Sequence, residues 1–294
     1  MTKHPAWDFE YGEDIYRGRL ALQSIGGGEA FETWLGWDPA LFSVVVLKLV
    51  RPHRVDDPRT LRDVEREARA LAALAHPIVL RGFDSVLEPP HPHLVLEHLD
   101  GMTLRSLLRR TRRLPLEQVL PLAMHICSAL HYMHSVGFVH LDVKPRNLIM
   151  GPQPRLIDLS VARTREELAR LGGGVGTPAY MAPEQCDPGA FGTIGPPADV
   201  WGLAATLYEA VCGAKPFGNP ERDDEGRWIY RQLTEPTPSS FPRYTPPEVI
   251  DVITRSLAKD QNARPAAAEM AMALEPVVAN LPSLGVGKRG FRFR

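Results

Sequence analysis

The apolar residues change their period near residue 100, and that change restricts the chain to a two-part α+β architecture. Before it, short apolar runs at Arg19 to Ile25, Val44 to Val50 and Leu94 to Glu97 have the length and composition of strands. One amphipathic helix interrupts them: Leu61, Val64, Ala68, Leu71 and Ala75 recur at helical spacing behind Asp57-Pro58. From Thr103 onward helical patterns dominate, notably Leu116 to His134, which ends before Gly137, and Ala198 to Val211, which ends before Gly213. The expectation is a small strand-rich unit followed by a larger helical one, and 294 residues suffice for both.

Composition narrows the partners. A net charge of -1 leaves neither a nucleic-acid footprint nor an attraction to anionic membranes. Cys127, Cys186 and Cys212 lie too far apart in sequence for close-pair metal or redox spacing, which fits core thiols in a reducing compartment. No apolar run approaches the roughly 20 residues that span a bilayer, and the first ten residues lack a signal peptide's pattern. The expected location is therefore the cytoplasm. Arginine far outnumbers lysine among the 34 basic residues, which points to a GC-rich, bacterial genome. Pro236 to Pro247 reads as surface loop, and 279–294 as a mobile basic tail.

The densest chemistry lies in His140-Leu141-Asp142-Val143-Lys144-Pro145-Arg146-Asn147, followed by Asp158 after a short apolar run. Phosphoryl transfer needs a carboxylate near the attacking hydroxyl and oxygen ligands that hold Mg against the phosphates. Asp142 suits the first task, Asn147 and Asp158 the second, and Lys144 offers an ammonium to the charge that develops on the phosphoryl group.

With these residues the chain resembles the eukaryotic-type (bacterial, Hanks-type) serine/threonine protein kinases over roughly Leu20 to Pro276. Gly176-Thr177-Pro178-Ala179-Tyr180-Met181-Ala182-Pro183-Glu184 resembles the end of that family's activation segment. Asp199-Val200-Trp201-Gly202-Leu203 resembles the start of its central buried helix. The resemblance implies a bilobal fold, with a small antiparallel-sheet lobe carrying one main helix and a larger, mostly helical lobe. The corresponding boundaries are an extension over 1–18, a kinase domain over 19–278 with lobes at about 19–99 and 102–278, and the tail. It also implies that Glu184 pairs with Arg264, that Asp199 braces the catalytic loop, and that Thr177 contacts the catalytic aspartate.

In the small lobe the resemblance makes Lys48, 22 residues after Gly26, the phosphate-binding lysine. Glu67 is its expected partner, because it shares the apolar face with Val64 and Leu71 whereas Glu65 points roughly 200° away. Ile25, Gly26 and Gly28 match the glycine-rich loop, with Phe31 at the third glycine position. Thr33 and Val46 would roof the adenine, Ile149 would form its floor, Leu96 would be the gatekeeper, and Glu97 and Leu99 would bond the adenine from the hinge. The implied activity is transfer of the γ-phosphate of Mg-ATP to serine or threonine hydroxyls of proteins, autophosphorylation included. A pseudokinase that binds nucleotide or scaffolds without turnover is the alternative, suggested by Phe31 and Val46. Leu141 stands where the family commonly has an arginine, and Leu159 and Ser160 replace the phenylalanine and glycine after the metal-binding aspartate. Loss of that arginine implies activity without a phosphorylated activation segment, in which Thr164 is the remaining regulatory site.

Overall fold

The computed structural model of the chain describes residues 4–219 and 221–281; from residue 282 on, the expected basic tail lies outside the described residues. The chain forms two units. One comprises the residues up to Ala75 together with Val79–Asp100 and Asp158–Ser160; the other comprises His76–Ile78, Gly101–Ile157 and the chain from Val161 on.

The first unit is built from β1 (Asp14–Tyr16), β2 (Arg19–Gly27), β3 (Phe31–Asp38), β4 (Ser43–Val50), α1 (Pro58–Ala73), β5 (Gly82–Val86) and β6 (His93–Glu97). The strands form one antiparallel sheet in the order β1-β2-β3-β4-β6-β5. In β4 successive side chains face opposite sides of the sheet, so Val45, Leu47 and Leu49 are fully buried and join Ile15, Ala21, Trp34 and Val95 in one apolar cluster. Trp7 and Phe9 pack against that cluster. The segment ahead of residue 19 thus supplies an edge strand and two aromatic rings to the sheet.

Helix α1 starts where Asp57 accepts hydrogen bonds from Arg59 N (3.1 Å) and Thr60 Oγ1 (2.8 Å), with Pro58 in the first turn. It buries Val64, Glu67, Ala70 and Leu71. Ala75, expected on the same face, is exposed and outside the helix, because the backbone turns extended at Leu74 ahead of His76-Pro77.

The second unit contains β7 (Met102–Thr103), α2 (Leu104–Thr111), α3 (Leu116–Ser135), β8 (Phe138–Val139), β9 (Leu148–Met150), β10 (Arg155–Leu156) and β11 (Arg163–Thr164). After these come α4 (Arg165–Leu168), α5 (Pro183–Cys186), α6 (Pro188–Phe191), α7 (Pro196–Cys212), β12 (Glu221–Arg222), β13 (Trp228–Ile229), α8 (Arg231–Thr234), α9 (Pro247–Ser256) and α10 (Ala267–Ala279). Helix α3 packs on α7 and α10, and α7 on α9. From Ala198 to Val211 every residue of α7 is buried, as its nearly unbroken small and apolar sequence requires of a central helix. At Gly202 a Cβ would lie 2.9 Å from the Val143 carbonyl oxygen, so glycine there lets α7 touch the loop after β8. Among the described residues no helix is long and apolar enough to cross a membrane.

Candidate active site

In the first unit, strand alternation puts Lys48 and Val46 on the face opposite the buried valines and leucines. Register places Thr33 and Leu94 opposite Lys48, and Leu35 and Leu96 opposite Val46. Four of the expected nucleotide-contacting residues, Thr33, Val46, Lys48 and Leu96, therefore share one sheet face. Gly26 pairs with Thr33 at the mouth of the glycine-rich turn, and Ile25 beside it is exposed. Glu97 ends β6 and donates its N–H to the Arg81 carbonyl at 3.0 Å; Leu99 follows two residues later, outside the strand.

Helix α1 brings Glu67, 1% exposed, to Lys48. The ammonium donates to both carboxylate oxygens, at 2.9 and 2.7 Å, and to Asp158 Oδ1 at 3.2 Å. Burial pulls the Lys48 pKa down, but Glu67 and Asp158 outweigh it and hold the ammonium charged well above its ordinary range. Glu65, two residues away, is exposed. Charge-assisted hydrogen bonds of this kind are worth about 1.5 to 3 kcal/mol, so Glu67→Gln is expected to lower kcat/KM by about 10-fold or more. Glu65→Gln is expected to leave it within about twofold, and steady-state kinetics on the pair checks the helical phase.

In the second unit the loop between β8 and β9 is held from α7. Asp199 accepts the N–H groups of His140 (2.8 Å) and Leu141 (2.7 Å) and a bond from His134 Nε2 (2.8 Å). These bonds fix Leu141 at a left-handed φ of +66°, a conformation that costs a non-glycine residue about 1 to 3 kcal/mol. The loop then turns Asp142, 8% exposed, toward Lys144 and Thr177. Lys144 Nζ reaches Asp142 Oδ2 at 2.5 Å and Thr177 Oγ1 at 2.6 Å, and the threonine hydroxyl donates to Asp142 Oδ1 at 2.7 Å. Asn147 donates its amide N–H to the Asp142 carbonyl (2.9 Å) and carboxylate (3.2 Å), which fixes the amide and turns its oxygen away from Asp142. Ile149 lies on β9, paired with Arg155 and Thr103.

Asp158, in the first unit, carries a partly exposed carboxylate, and Asn147, in the second, an amide whose NH₂ group is anchored; each is a hard oxygen donor of the kind Mg takes.

The activation-segment end is tied down from two sides. Arg264 makes a two-pronged pair with Glu184, at 2.7 and 2.8 Å, with both side chains fully buried. Gln185 donates to the carbonyls of Leu141 (2.9 Å) and Val175 (2.8 Å), linking the segment to the catalytic loop. Nothing in the apolar pattern marks Gln185; its only signal is a polar side chain beside Glu184 in a segment that buries. Thr164 caps α4, accepting from Glu167 N at 3.3 Å while Glu167 Oε2 accepts from Thr164 N at 3.0 Å. A phosphate on Thr164 would stand at the N-terminus of α4 in place of the capping hydroxyl and beside the Glu167 carboxylate.

Comparison with known proteins agrees with this geometry. Residues 21–274 match the family described as the protein kinase domain. Serine/threonine-protein kinase PknA of Mycobacterium tuberculosis is 33% identical over 254 residues, covering 83% of this chain and 57% of that protein. Serine/threonine-protein kinase PknB of Mycolicibacterium smegmatis is 30% identical over 260 residues, 84% of this chain and 40% of that protein. A protein named as a probable serine/threonine-protein kinase of Streptomyces coelicolor is 29% identical over 280 residues, 90% of this chain and 41% of that protein. The chain thus spans between two fifths and somewhat over half of the length of these relatives. The family match over most of its length, with the braced loop between β8 and β9 and the Lys48–Glu67 pair, makes this chain a member of the protein kinase domain family.

Proposed function

We propose that the chain is a catalytically competent serine/threonine protein kinase that transfers the γ-phosphate of ATP to protein hydroxyls. The observation that carries this reading is the Asp142–Lys144–Thr177 triangle: a carboxylate held ready beside an ammonium in a loop braced by Asp199. The acceptor hydroxyl oxygen forms its bond to the γ-phosphorus while the bond to the β–γ bridging oxygen breaks, and ADP leaves. Asp142 orients that hydroxyl and takes its proton. Lys144 offsets negative charge on the phosphoryl oxygens, and Lys48, oriented by Glu67, holds the α- and β-phosphates. Asp158 and Asn147 would hold Mg, which would supply positive charge against the phosphates. Protein substrates are the partners this chemistry implies. Free thiols at Cys127, Cys186 and Cys212 support the reading of a reducing, cytoplasmic location.

One contact favours the second reading, a nucleotide-binding module without turnover: the Phe31 ring centroid lies 5.1 Å from Lys48 Nζ, at the position the family gives to a small residue. Thermal melting with ATP, with and without Mg, alongside radiolabelled transfer, separates the two. The expected result is a Mg-dependent rise in Tm and label transfer in the wild type. In Asp158→Ala the rise is expected to shrink, with ATP affinity about tenfold weaker. Metal-independent binding, unchanged in that variant and without transfer, would favour the second reading.

A further inference from the structure

Three consecutive glycines, Gly26-Gly27-Gly28, have no intrinsic preference for one backbone shape, yet here the turn they form is clasped. Gly28 N donates to the Phe31 carbonyl at 2.8 Å. Arg51, the residue after β4, donates through Nε to the Gly28 carbonyl at 2.7 Å, and Arg54 meets Glu29 at 2.5 Å. Gly27 has φ +153°, and a Cβ there would come within 2.4 Å of the Phe31 oxygen and 3.2 Å of the Arg51 guanidinium.

The same guanidinium has other partners. Its Nη1 donates to the Pro5 carbonyl at 3.0 Å and to Glu32 at 3.2 Å. Glu32, 2% exposed, also accepts the Trp7 backbone N–H at 3.0 Å. The Trp7 indole donates to the Val50 carbonyl at 2.8 Å. One planar fork therefore joins the glycine turn, the strand that follows it and the N-terminal segment, a set of directions that a lysine ammonium on a flexible stem does not match.

We propose that Arg51 is a positioning residue for the glycine-rich turn and that residues 5–7 act through it, so that the seating of the N-terminal segment sets the affinity for nucleotide. This rests on the kinase reading, in which that turn covers the ATP phosphates. Arg51 touches neither nucleotide nor acceptor in this scheme; it holds the turn in the shape that binds.

The test is steady-state kinetics on Arg51→Ala, Arg51→Lys, Glu32→Gln, a chain beginning at Ala6, and the last combined with Arg51→Ala. Arg51→Ala is expected to raise KM for ATP by about tenfold, the weight of one lost charge-assisted bond, with kcat within about twofold. Arg51→Lys is expected to recover only part of that loss, and Glu32→Gln, which keeps the side-chain shape, to raise KM less. The chain beginning at Ala6 is expected to raise KM in the Arg51 background and to have no further effect in the Arg51→Ala background. Unchanged KM in Arg51→Ala, or effects of truncation and substitution that multiply, would overturn the inference while leaving the kinase reading intact. A purely structural brace would lower Tm in every variant and leave KM alone, which also overturns it. Should Arg51→Ala fail to fold, Arg51→Lys and Glu32→Gln carry the same comparison. A wild-type protein that binds no nucleotide would overturn the kinase reading, and this inference with it.

Discussion

Asp142→Asn is expected to cut phosphate transfer by about 100-fold or more while ATP affinity stays within about twofold. The substitution keeps the side-chain size and the bond from the Thr177 hydroxyl to the remaining oxygen. It removes the negative charge that faces Lys144 at 2.5 Å and, in the proposed mechanism, the group that takes the acceptor's proton. Asp142 lies in the loop braced by Asp199, whose bonds run to the backbone of His140 and Leu141, so the loop keeps its shape. The loss should therefore appear in kcat rather than in nucleotide binding or Tm. Radiolabelled transfer to an exogenous protein, paired with nucleotide-induced thermal shifts, separates these quantities. Near-normal turnover would remove Asp142 from the role of base.

Arg264→Met is expected to produce the largest loss of stability, about 3 to 5 kcal/mol, on the order of 10 °C in Tm. Methionine has similar length, so the loss is one of charge and hydrogen bonds rather than volume. In the native protein the guanidinium donates to Glu184, to the carbonyls of Ala258 (2.8 Å), Pro197 (3.0 Å) and Lys259 (3.3 Å), and lies 4.9 Å from the Trp201 ring centroid. Removing it leaves a fully buried carboxylate and three carbonyls without their donor. Breaking such a pair from one side costs more than the pair contributes, because burial of the leftover charge is uncompensated. The double variant Glu184→Gln with Arg264→Met should therefore recover part of the loss, which thermal melting measures directly. A single-variant Tm within about 2 °C of wild type would show that the pair is dispensable.

Much of this was legible in the sequence because the residues combine a special chemistry with a fixed spacing. Asp142, Lys144 and Asn147 sit within one short loop, so a local pattern suffices to bring them together. Glu67 was legible for another reason: α1 is regular, and helical phase alone distinguishes it from Glu65. β3 was harder to see, because its buried side carries Glu32 and Asp38, which read as solvent-facing until their partners are known. Those partners, Arg51 for Glu32 and Arg19 at 2.8 Å for Asp38, come from other strands or their ends. β1 is hidden by its length, three residues being too few to show a period. Gln185 and the N-terminal clasp depend on backbone carbonyls as acceptors, and those leave no trace in side-chain identity.

The left-handed, 2% exposed Leu141 has a consequence for how this lineage can change. Its N–H and carbonyl are already committed to Asp199 and Gln185, so a substitution here alters only what fills the pocket. An arginine would bring a guanidinium into that buried space, a burden of several kcal/mol unless an anion pairs with it, against a total stability of about 5 to 15. A new phosphosite on the activation segment, arriving first, would find no arginine at this position to hold it. Each step alone is neutral at best and harmful at worst, and only the pair brings the benefit. Acquiring a phosphate clamp through this position with an acceptor other than Thr164 therefore requires two coordinated substitutions, an epistatic barrier to single mutations taken one at a time.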